Sequence, residues 1–344
     1  TVWLVRKALI ALSVMDDETS YFGLVEDHQF RFGVWKGETF FALSNFVADF
    51  DVEVYSESGS VSGYMFNVTY NNGKVLGSTY VSSQDSEERS KWTTSLRKGL
   101  GFAGLRCNAN NTQLGSYLMK KLEISYRNGD IKKKKMVAVV GRQNGTDEIW
   151  VMNRQIHLDN KGVQVDPSES PYTWNDELDD MAPELTAVRK NKSSVRALIK
   201  AVHKSYGANT PAVLLTIGAE IICFHYDILN DKAYSVPASI LTGAVSIGKS
   251  TASRIALACA GAQKSFITSA TDSKIKSVTS KSTLGIALDD PKDAQDIAEK
   301  VMHHFDKGKS CSQTRTCIPR CTFMASVNSE FLKKFSELHP KFVL

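Results

Sequence analysis

The amino-acid sequence predicts an α/β core preceded by helices in its carboxyl-terminal half, together with an amino-terminal α+β domain. An apolar run at 236–241 leads through a glycine-containing loop into a helical pattern at 250–260. Two later apolar runs, 283–288 and 321–327, are separated by a helical pattern, as in a parallel sheet with helical crossovers. Residues 30–81 instead contain short runs rich in β-branched and aromatic residues, with two helical patterns after them.

Size and composition indicate a folded protein of two domains. The chain has 344 residues, of which 42% are apolar and 23% charged, and its formal net charge is +5. This charge permits a nucleic-acid partner without arguing for one. The six cysteines are too few and too scattered for a secreted disulfide framework. We therefore expect an intracellular protein, cytoplasmic or nuclear, with free thiols.

We place the domain boundary in a linker at 166–192, because its first part is rich in Pro, Ser and acidic residues. Residues 1–165 then form an α+β domain of unknown role. Residues 193–344 form a helical lead-in and the core, which we expect to be truncated at its carboxyl terminus. The most hydrophobic stretch, 211–229, is interrupted by Glu220, His225 and Asp227. It is predicted to be a buried helix and not a membrane span.

Local patterns predict the elements of the amino-terminal half. The expected strands are 30–35, 39–46, 52–55, 64–70, 74–81, 136–140, 148–152 and 155–158, and the expected helices are 86–100 and 112–122. Asn71, Asn72 and Gly73 predict a hairpin turn, because Asn and Gly tolerate positive φ. Four consecutive lysines at 132–135 are interpreted as a solvated loop, with a basic turn that touches nucleic acid as the alternative.

The loop 243–250 fits the pattern G-x-x-x-x-G-K-[ST], which predicts a phosphate-binding loop. Its glycines let backbone N–H groups close around phosphate oxygens, Lys249 reaches the β- and γ-phosphates, and the Ser250 hydroxyl is a Mg²⁺ ligand. The helix that follows directs its amino terminus at the same anion. The alternative is a glycine-containing turn before a helix, with Lys249 solvated. The residues expected to bind the nucleotide are Gly243, Ser246, Ile247, Gly248, Lys249, Ser250 and Thr251.

Paired carboxylates follow the apolar run 283–288. We assign Asp289 to the Mg²⁺ site together with Ser250, and Asp290 to activation of the attacking water. The same residues also describe an ordinary strand followed by a helix cap. The next apolar run, 321–327, ends at Asn328, where a polar side chain beside the phosphate loop can contact a γ-phosphate or its attacking water. Its alternative role is to cap the predicted helix 329–338.

The order of phosphate loop, strand with Asp289 and Asp290, and strand with Asn328 resembles the additional-strand class of P-loop ATPases. Within that class it is similar to the superfamily 3 helicase-like modules of phage and mobile-element replication proteins. The resemblance covers about 193–335 and implies an α/β P-loop NTPase core preceded by helices. It also implies ATP and Mg²⁺ as cofactors, Lys249, Asp290 and Asn328 as catalytic residues, and a homo-oligomeric ring that translocates on nucleic acid.

The segment before the last strand, 307–320, carries the residues expected to touch nucleic acid. In the superfamily 3 family a DNA-contacting hairpin occupies this place, which would give Lys307, Lys309, Arg315 and Arg320 phosphate contacts. The alternative is a solvated connecting loop. A ring ATPase also needs an arginine finger, and no arginine follows Asn328, so either it is absent or Arg315 or Arg320 supplies it. The cysteines of this segment fit zinc spacing poorly and are expected to be buried thiols.

The sequence therefore predicts a Mg²⁺-dependent P-loop ATPase, helicase-like and acting on nucleic acid, with no membrane association. One alternative is a non-hydrolysing, nucleotide-gated DNA-binding protein derived from a mobile element. Another is a small-molecule kinase, which usually requires an arginine-bearing lid that the sequence does not show.

Overall fold

The computed structural model describes residues 24–36, 38–143, 148–186, 192–232, 235–291, 294–305, 310–311 and 316–328. The chain divides into two compact units between Met136 and Val137. Both units contain sheets and helices, so the chain has a mixed α/β fold.

The described residues of the first unit form seven strands and three α-helices. They are β1 (Leu24–Glu26), β2 (Phe32–Lys36), β3 (Thr39–Ala42), β4 (Phe46–Tyr55), β5 (Val61–Tyr70), β6 (Val75–Ser82), α1 (Ser83–Ser86), α2 (Arg89–Leu100), α3 (Asn111–Asn128) and β7 (Lys132–Met136). Strands β1, β2 and β3 form one sheet, and β7, β4, β5 and β6 lie side by side in that order. The predicted turn between β5 and β6 is confirmed, since Asn72 has φ 70° and Gly73 has φ 82°.

Helix α2 supplies the centre of the first unit's core. Trp92 is fully buried, and its ring lies 5.4 Å from that of Phe46 and 6.0 Å from that of Phe66. An apolar face of this helix therefore packs against strands β4 and β5. The helix begins three residues later than the expected position 86, because the Ser82 side chain accepts a hydrogen bond from the Asp85 N–H and caps the separate short helix α1.

The lysine run at 132–135 forms most of strand β7, so its interpretation as a loop or turn is wrong. The strand pairs parallel with β4, with Val52 opposite Lys132 and Tyr55 opposite Lys135. Lys134 is only 9% exposed, whereas its neighbours Lys133 and Lys135 are exposed, as strand alternation requires. Pairing with a long neighbouring strand outweighs the low strand propensity of lysine. The strand expected at 136–140 is therefore found at Lys132–Met136.

The second unit contains the remaining elements. They are β8 (Gly141–Arg142), β9 (Trp150–Val151), β10 (His157–Leu158), β11 (Gln164–Val165), β12 (Tyr172–Thr173), α4 (Lys192–Tyr206), α5 (Thr210–Phe224), α6 (Tyr226–Asp231), β13 (Ser239–Gly243), α7 (Lys249–Cys259), β14 (Phe266–Ile267), α8 (Asp272–Ser280), β15 (Ile286–Asp289), α9 (Ala294–Phe305), β16 (Ser310–Cys311), β17 (Thr316–Cys317) and β18 (Phe323–Asn328).

The main sheet of the second unit is parallel, with its strands in the order β13-β18-β15-β14. Strand β18 thus lies between the strand that leads into the 243–250 loop and the strand that ends in Asp289. Five of its six residues, from Phe323 to Val327, are buried. Helices α7, α8 and α9 connect these strands, which agrees with the predicted alternation of strands and helices.

Residues 137–186 pack with this parallel sheet. One core cluster joins Ile156 and Trp174 to Leu257 of α7 and Met324 of β18. The compact units therefore divide at 136–137 and not within 166–192, because the aromatic side chains of the expected linker are buried. A functional boundary at 166–192 remains a prediction.

Two helices lead into the loop strand. The stretch expected as one buried helix at 211–229 is split at His225 into α5 and α6, and Leu215 on α5 is 75% exposed. By length and composition alone, the helical run Ser193–Phe224 could cross a membrane. Of its apolar 18-residue stretch, 28% is buried in the protein. Core helices meet the same criteria, and Gly207, with φ 51°, interrupts this run between α4 and α5.

Candidate functional site

The predicted site residues converge because parallel strands end at one edge of a sheet. In the register of the sheet, Gly243 at the end of β13 lies opposite Asn328 at the end of β18. Asp289 at the end of β15 lies opposite Ser326 of the same central strand. Three separate parts of the sequence therefore meet at the carboxyl edge of the sheet, which is where ligands bind in open α/β sheets.

The loop 243–250, called here the candidate phosphate loop, has a backbone that requires its glycines. Gly243 has φ 149°, and a Cβ at this position would lie 2.2 Å from the Ile247 side chain. Gly248 has φ 93° and precedes α7, whose amino terminus has no side-chain cap. Backbone N–H groups at this helix end are thus left for an anion. Ser246 also has positive φ, 64°, which is uncommon for a residue with a side chain.

Lys249 lies inside the candidate phosphate loop and does not extend into solvent. Its Nζ donates to the carbonyl oxygens of Gly243, at 3.0 Å, and Ala244, at 2.8 Å. It also lies 3.5 Å from the Asn328 Oδ1. The ammonium group is consequently held between the loop and the end of the central strand, where an incoming phosphate would meet it.

The Ser250 hydroxyl and the Asp289 carboxylate are in direct contact. Ser250 Oγ donates to Asp289 Oδ1 at 2.7 Å, and the hydroxyl of Ser326 donates to the same oxygen. Ser326 was not predicted as a site residue. Its side chain lies on the same face of β18 as that of Asn328, because side chains at i and i+2 of a strand point to the same face.

Asp290 and Asn328 form the second contact at this edge. The amide Nδ2 of Asn328 donates to Asp290 Oδ1 at 3.4 Å, and the Asp290 backbone N–H donates to the Ser326 carbonyl at 3.0 Å. Asp290 has φ 49°, which is unfavourable for a residue with a side chain. Strain of this kind often accompanies functional positions, because the surrounding structure must maintain it. Asp290 is also exposed, so solvent reaches its carboxylate.

The arrangement suits Mg²⁺ bound together with a nucleotide. Mg²⁺ in nucleotide sites keeps several waters and uses one or two protein oxygens besides the phosphates. Ser250 and Asp289 supply a hydroxyl and a carboxylate 2.7 Å apart, both partly exposed. In the part of the chain that the structure describes, no group of three or more His, Cys, Asp or Glu residues could hold a metal ion.

Tyr206, which sequence patterns did not single out, reaches the loop from α4. Its hydroxyl donates to the Gly248 carbonyl at 3.3 Å, and a Cβ on Gly248 would lie 2.9 Å from its ring. The helical lead-in therefore supports the candidate phosphate loop directly. The remaining predicted nucleotide contacts, Ser246, Ile247 and Thr251, are exposed around the loop and the first turn of α7.

The basic segment before β18 contains a hairpin, since β16 and β17 pair antiparallel. Lys307, Lys309 and Arg315 lie outside the described residues. The guanidinium of Arg320 lies 3.3 Å from the Asp227 carboxylate, and its backbone N–H donates to the Thr279 carbonyl. Arg320 precedes the amino end of β18, so it lies at the opposite edge of the sheet from Asn328.

A buried carboxyl group lies below the site, at the amino end of β15. Glu220 of α5 is 1% exposed, and its Oε1 accepts the Gly285 N–H at 3.0 Å. Burial raises the pKa of this carboxyl to about 8. Its other oxygen has no hydrogen-bond partner among the described residues. Glycine is required at 285, where a Cβ would lie 2.3 Å from that oxygen.

Comparisons with known proteins show a similarity of fold. No family model matches the sequence, and no curated protein matches it. Among solved structures, the chain is similar to one titled "SCCmec type IV Cch - active helicase", with a TM-score of 0.55 at 14% sequence identity. The match covers 91% of this chain and 55% of that chain, so the chain spans about half the length of the structure that it resembles. The protein therefore has a mixed α/β fold that is similar to the fold of this structure.

Proposed function

We propose that the chain binds ATP with Mg²⁺ and hydrolyses it, and that hydrolysis drives helicase or translocase activity on nucleic acid. The observation that carries this proposal is the 2.7 Å hydrogen bond between Ser250 and Asp289. It pairs the hydroxyl of the candidate phosphate loop with the carboxylate of a different strand, as a shared Mg²⁺ ligand shell requires.

The sheet order supports the additional-strand class of P-loop ATPases and its superfamily 3 branch. Strand β18 separates β13 from β15, and it carries Asn328 to the point between the loop and Asp290. The helicase named in the structural match has the same general fold. We extend to this chain the expectation of a nucleic-acid partner and of a homo-oligomeric ring in the full-length protein.

In the proposed mechanism the chain's residues act by position and charge. Lys249 and the amino terminus of α7 neutralise the phosphates, while Ser250 and Asp289 would hold Mg²⁺, which would supply positive charge to the phosphate oxygens. Asp290 accepts a proton from the attacking water, and Asn328 orients that water or the γ-phosphate. No covalent intermediate is required.

The test is ATP hydrolysis by the purified chain with and without single-stranded DNA. Lys249→Ala should lower turnover about a hundredfold or more, because it removes a preorganised charge from the phosphates. Lys274→Ala, which changes an exposed lysine on α8, is the matched control. Equal turnover in Lys249→Ala and the wild type would refute the proposal.

A non-hydrolysing, nucleotide-gated DNA-binding protein is the second candidate. In the portion of the chain that the structure covers, no arginine side chain hydrogen-bonds to the candidate phosphate loop, Asp289, Asp290 or Asn328. A missing arginine finger would leave binding intact and turnover low. Tight ATP binding without phosphate release, in the full-length protein with DNA present, would favour this candidate.

A further inference from the structure

We propose that the β2–β3 hairpin of the first unit is a stacking site for bases of single-stranded nucleic acid. The hairpin exposes aromatic rings, with Trp35 56% exposed and Phe41 47% exposed. Phe40 is partly exposed beside Trp35. Isolated exposed apolar residues are common in proteins, but two adjacent aromatic rings on the outer face of one hairpin, Trp35 and Phe40, indicate a binding surface.

The two faces of this hairpin differ in character. Phe32 is fully buried and Val34 packs against the core of the first unit, so the even-numbered positions of β2 point inward. Trp35 lies opposite Phe40 in the strand register and therefore points outward with it. Their ring centroids are 5.3 Å apart with the planes tilted by 57°. The outer face thus carries a pair of aromatic rings against which a base can stack.

Gly33 gives this surface its shape. A Cβ at Gly33 would lie 2.7 Å from the Phe40 ring and 2.2 Å from the Phe41 carbonyl oxygen. The Phe40 ring consequently lies across the glycine, close to the backbone of β2. This packing fixes the ring before any ligand arrives, which reduces the entropy lost on binding.

Cations accompany the rings. The Arg31 guanidinium lies 5.6 Å from the Phe40 ring centroid and is held by Asp27 through contacts of 2.9 and 2.6 Å. Lys36 Nζ lies 5.4 Å from the Phe41 ring centroid, but Phe41 lies opposite Val34 in the strand register, so this second pair is on the other face of the hairpin. Arg31 is therefore the cation beside the outward-facing rings. Glu38 is the exposed acidic residue of the hairpin.

These features suit a single strand better than a duplex or an apolar protein surface. Bases of a single strand expose their π faces, and stacking on aromatic side chains tolerates any base. A cation beside the rings complements the phosphate that follows each base. The choice of nucleic acid as the ligand rests on the proposed function, whereas the site itself lies in the first unit and requires no nucleotide.

The experiment measures binding of labelled oligodeoxythymidine and oligodeoxyadenosine to the whole chain without ATP. Trp35→Ala should weaken both about tenfold or more, whereas Trp35→Phe should retain most of the affinity. Arg31→Gln, which removes the cation beside the Phe40 ring, should weaken binding and reduce its dependence on salt. Met119→Ala, which changes a side chain 60% exposed on α3, should have no effect.

Hydrolysis of ATP is measured separately on the same variants. Hairpin-dependent binding in a chain that does not hydrolyse ATP would refute the proposed function and leave this site in place. Absence of oligonucleotide binding by the wild type would overturn the site. Equal affinity in Trp35→Ala and the wild type would also overturn it. Weaker binding by Glu38→Gln, which removes a negative charge near the site, would overturn it as well.

Discussion

Ser250 Oγ donates a 2.7 Å hydrogen bond to Asp289 Oδ1, which joins the candidate phosphate loop to the strand that ends in paired carboxylates. Ser326 donates to the same carboxylate oxygen from the strand between them. The first turn of α7 and the strands β15 and β18 thus contribute to one polar cluster. Mg²⁺ with a nucleotide would compete with both hydroxyl donors for that oxygen, and this competition makes the cluster testable.

We predict that Asp289→Asn weakens Mg²⁺ binding more than it weakens nucleotide binding. The amide keeps the size of the side chain but removes the negative charge that attracts the cation. Half-saturating Mg²⁺ for ATP hydrolysis should rise at least about tenfold, which corresponds to about 1.4 kcal/mol of lost cation affinity. A titration of ATP hydrolysis with Mg²⁺ at saturating ATP provides the measurement.

The matched control for Asp289→Asn is Ser326→Ala. This change removes one hydrogen bond to the same oxygen but keeps the carboxylate, so the Mg²⁺ requirement should shift much less than in Asp289→Asn. If both variants shifted the requirement equally, the carboxylate would have a structural role and the assignment of Asp289 to the metal would be refuted.

Asn328→Ala should lower turnover with little change in ATP affinity. The Asn328 side chain lies 3.5 Å from the Lys249 Nζ and 3.4 Å from the Asp290 carboxylate. Loss of an orienting group acts on the transition state, so we expect a fall of about ten- to a hundredfold in kcat. Single-turnover hydrolysis and equilibrium binding of a fluorescent ATP analogue separate the two effects.

Asn230→Ala serves as the comparison for Asn328→Ala, because among the described residues the Asn230 amide donates only to the Tyr226 carbonyl in α6, away from the site. Its kinetics should match the wild type. A rise in the dissociation constant for ATP in Asn328→Ala, with kcat preserved, would show that Asn328 contributes to binding and not to catalysis.

Sequence patterns predicted the local elements around the site because each has a strong local cause. The glycines at 243 and 248 permit the positive φ of the loop, and the apolar runs before Asp289 and Asn328 form buried strands. The structure brings these residues together, as their positions at the ends of the strands predicted. Their individual roles in binding and catalysis remain predictions.

Local sequence patterns could not predict contacts between residues that are far apart in the sequence. The lysine run at 132–135 becomes a strand only because β4 lies beside it, and Tyr206 reaches Gly248 only because α4 packs near the loop. Ser326 was missed for a different reason. A single serine in an apolar run carries no signal until the facing carboxylate of Asp289 is known.

Glu220 should make the stability of the protein fall as the pH rises. Burial raises the pKa of its carboxyl from 4.5 to about 8, so between these values the folded state binds a proton that the unfolded state has released. The free energy of unfolding therefore decreases with pH across this window, by about 1.4 kcal/mol per pH unit at most from this group. Below the unfolded pKa the group contributes no pH dependence.

Glu220→Gln removes this titration while keeping a group that can accept the Gly285 N–H. Urea unfolding at a series of pH values between 5 and 8 should show a smaller loss of stability for the variant than for the wild type. Glu299→Gln, which changes an exposed glutamate on α9, should follow the wild-type curve. Parallel curves for Glu220→Gln and the wild type would mean that Glu220 is ionised in the folded protein, and that burial does not govern its pKa.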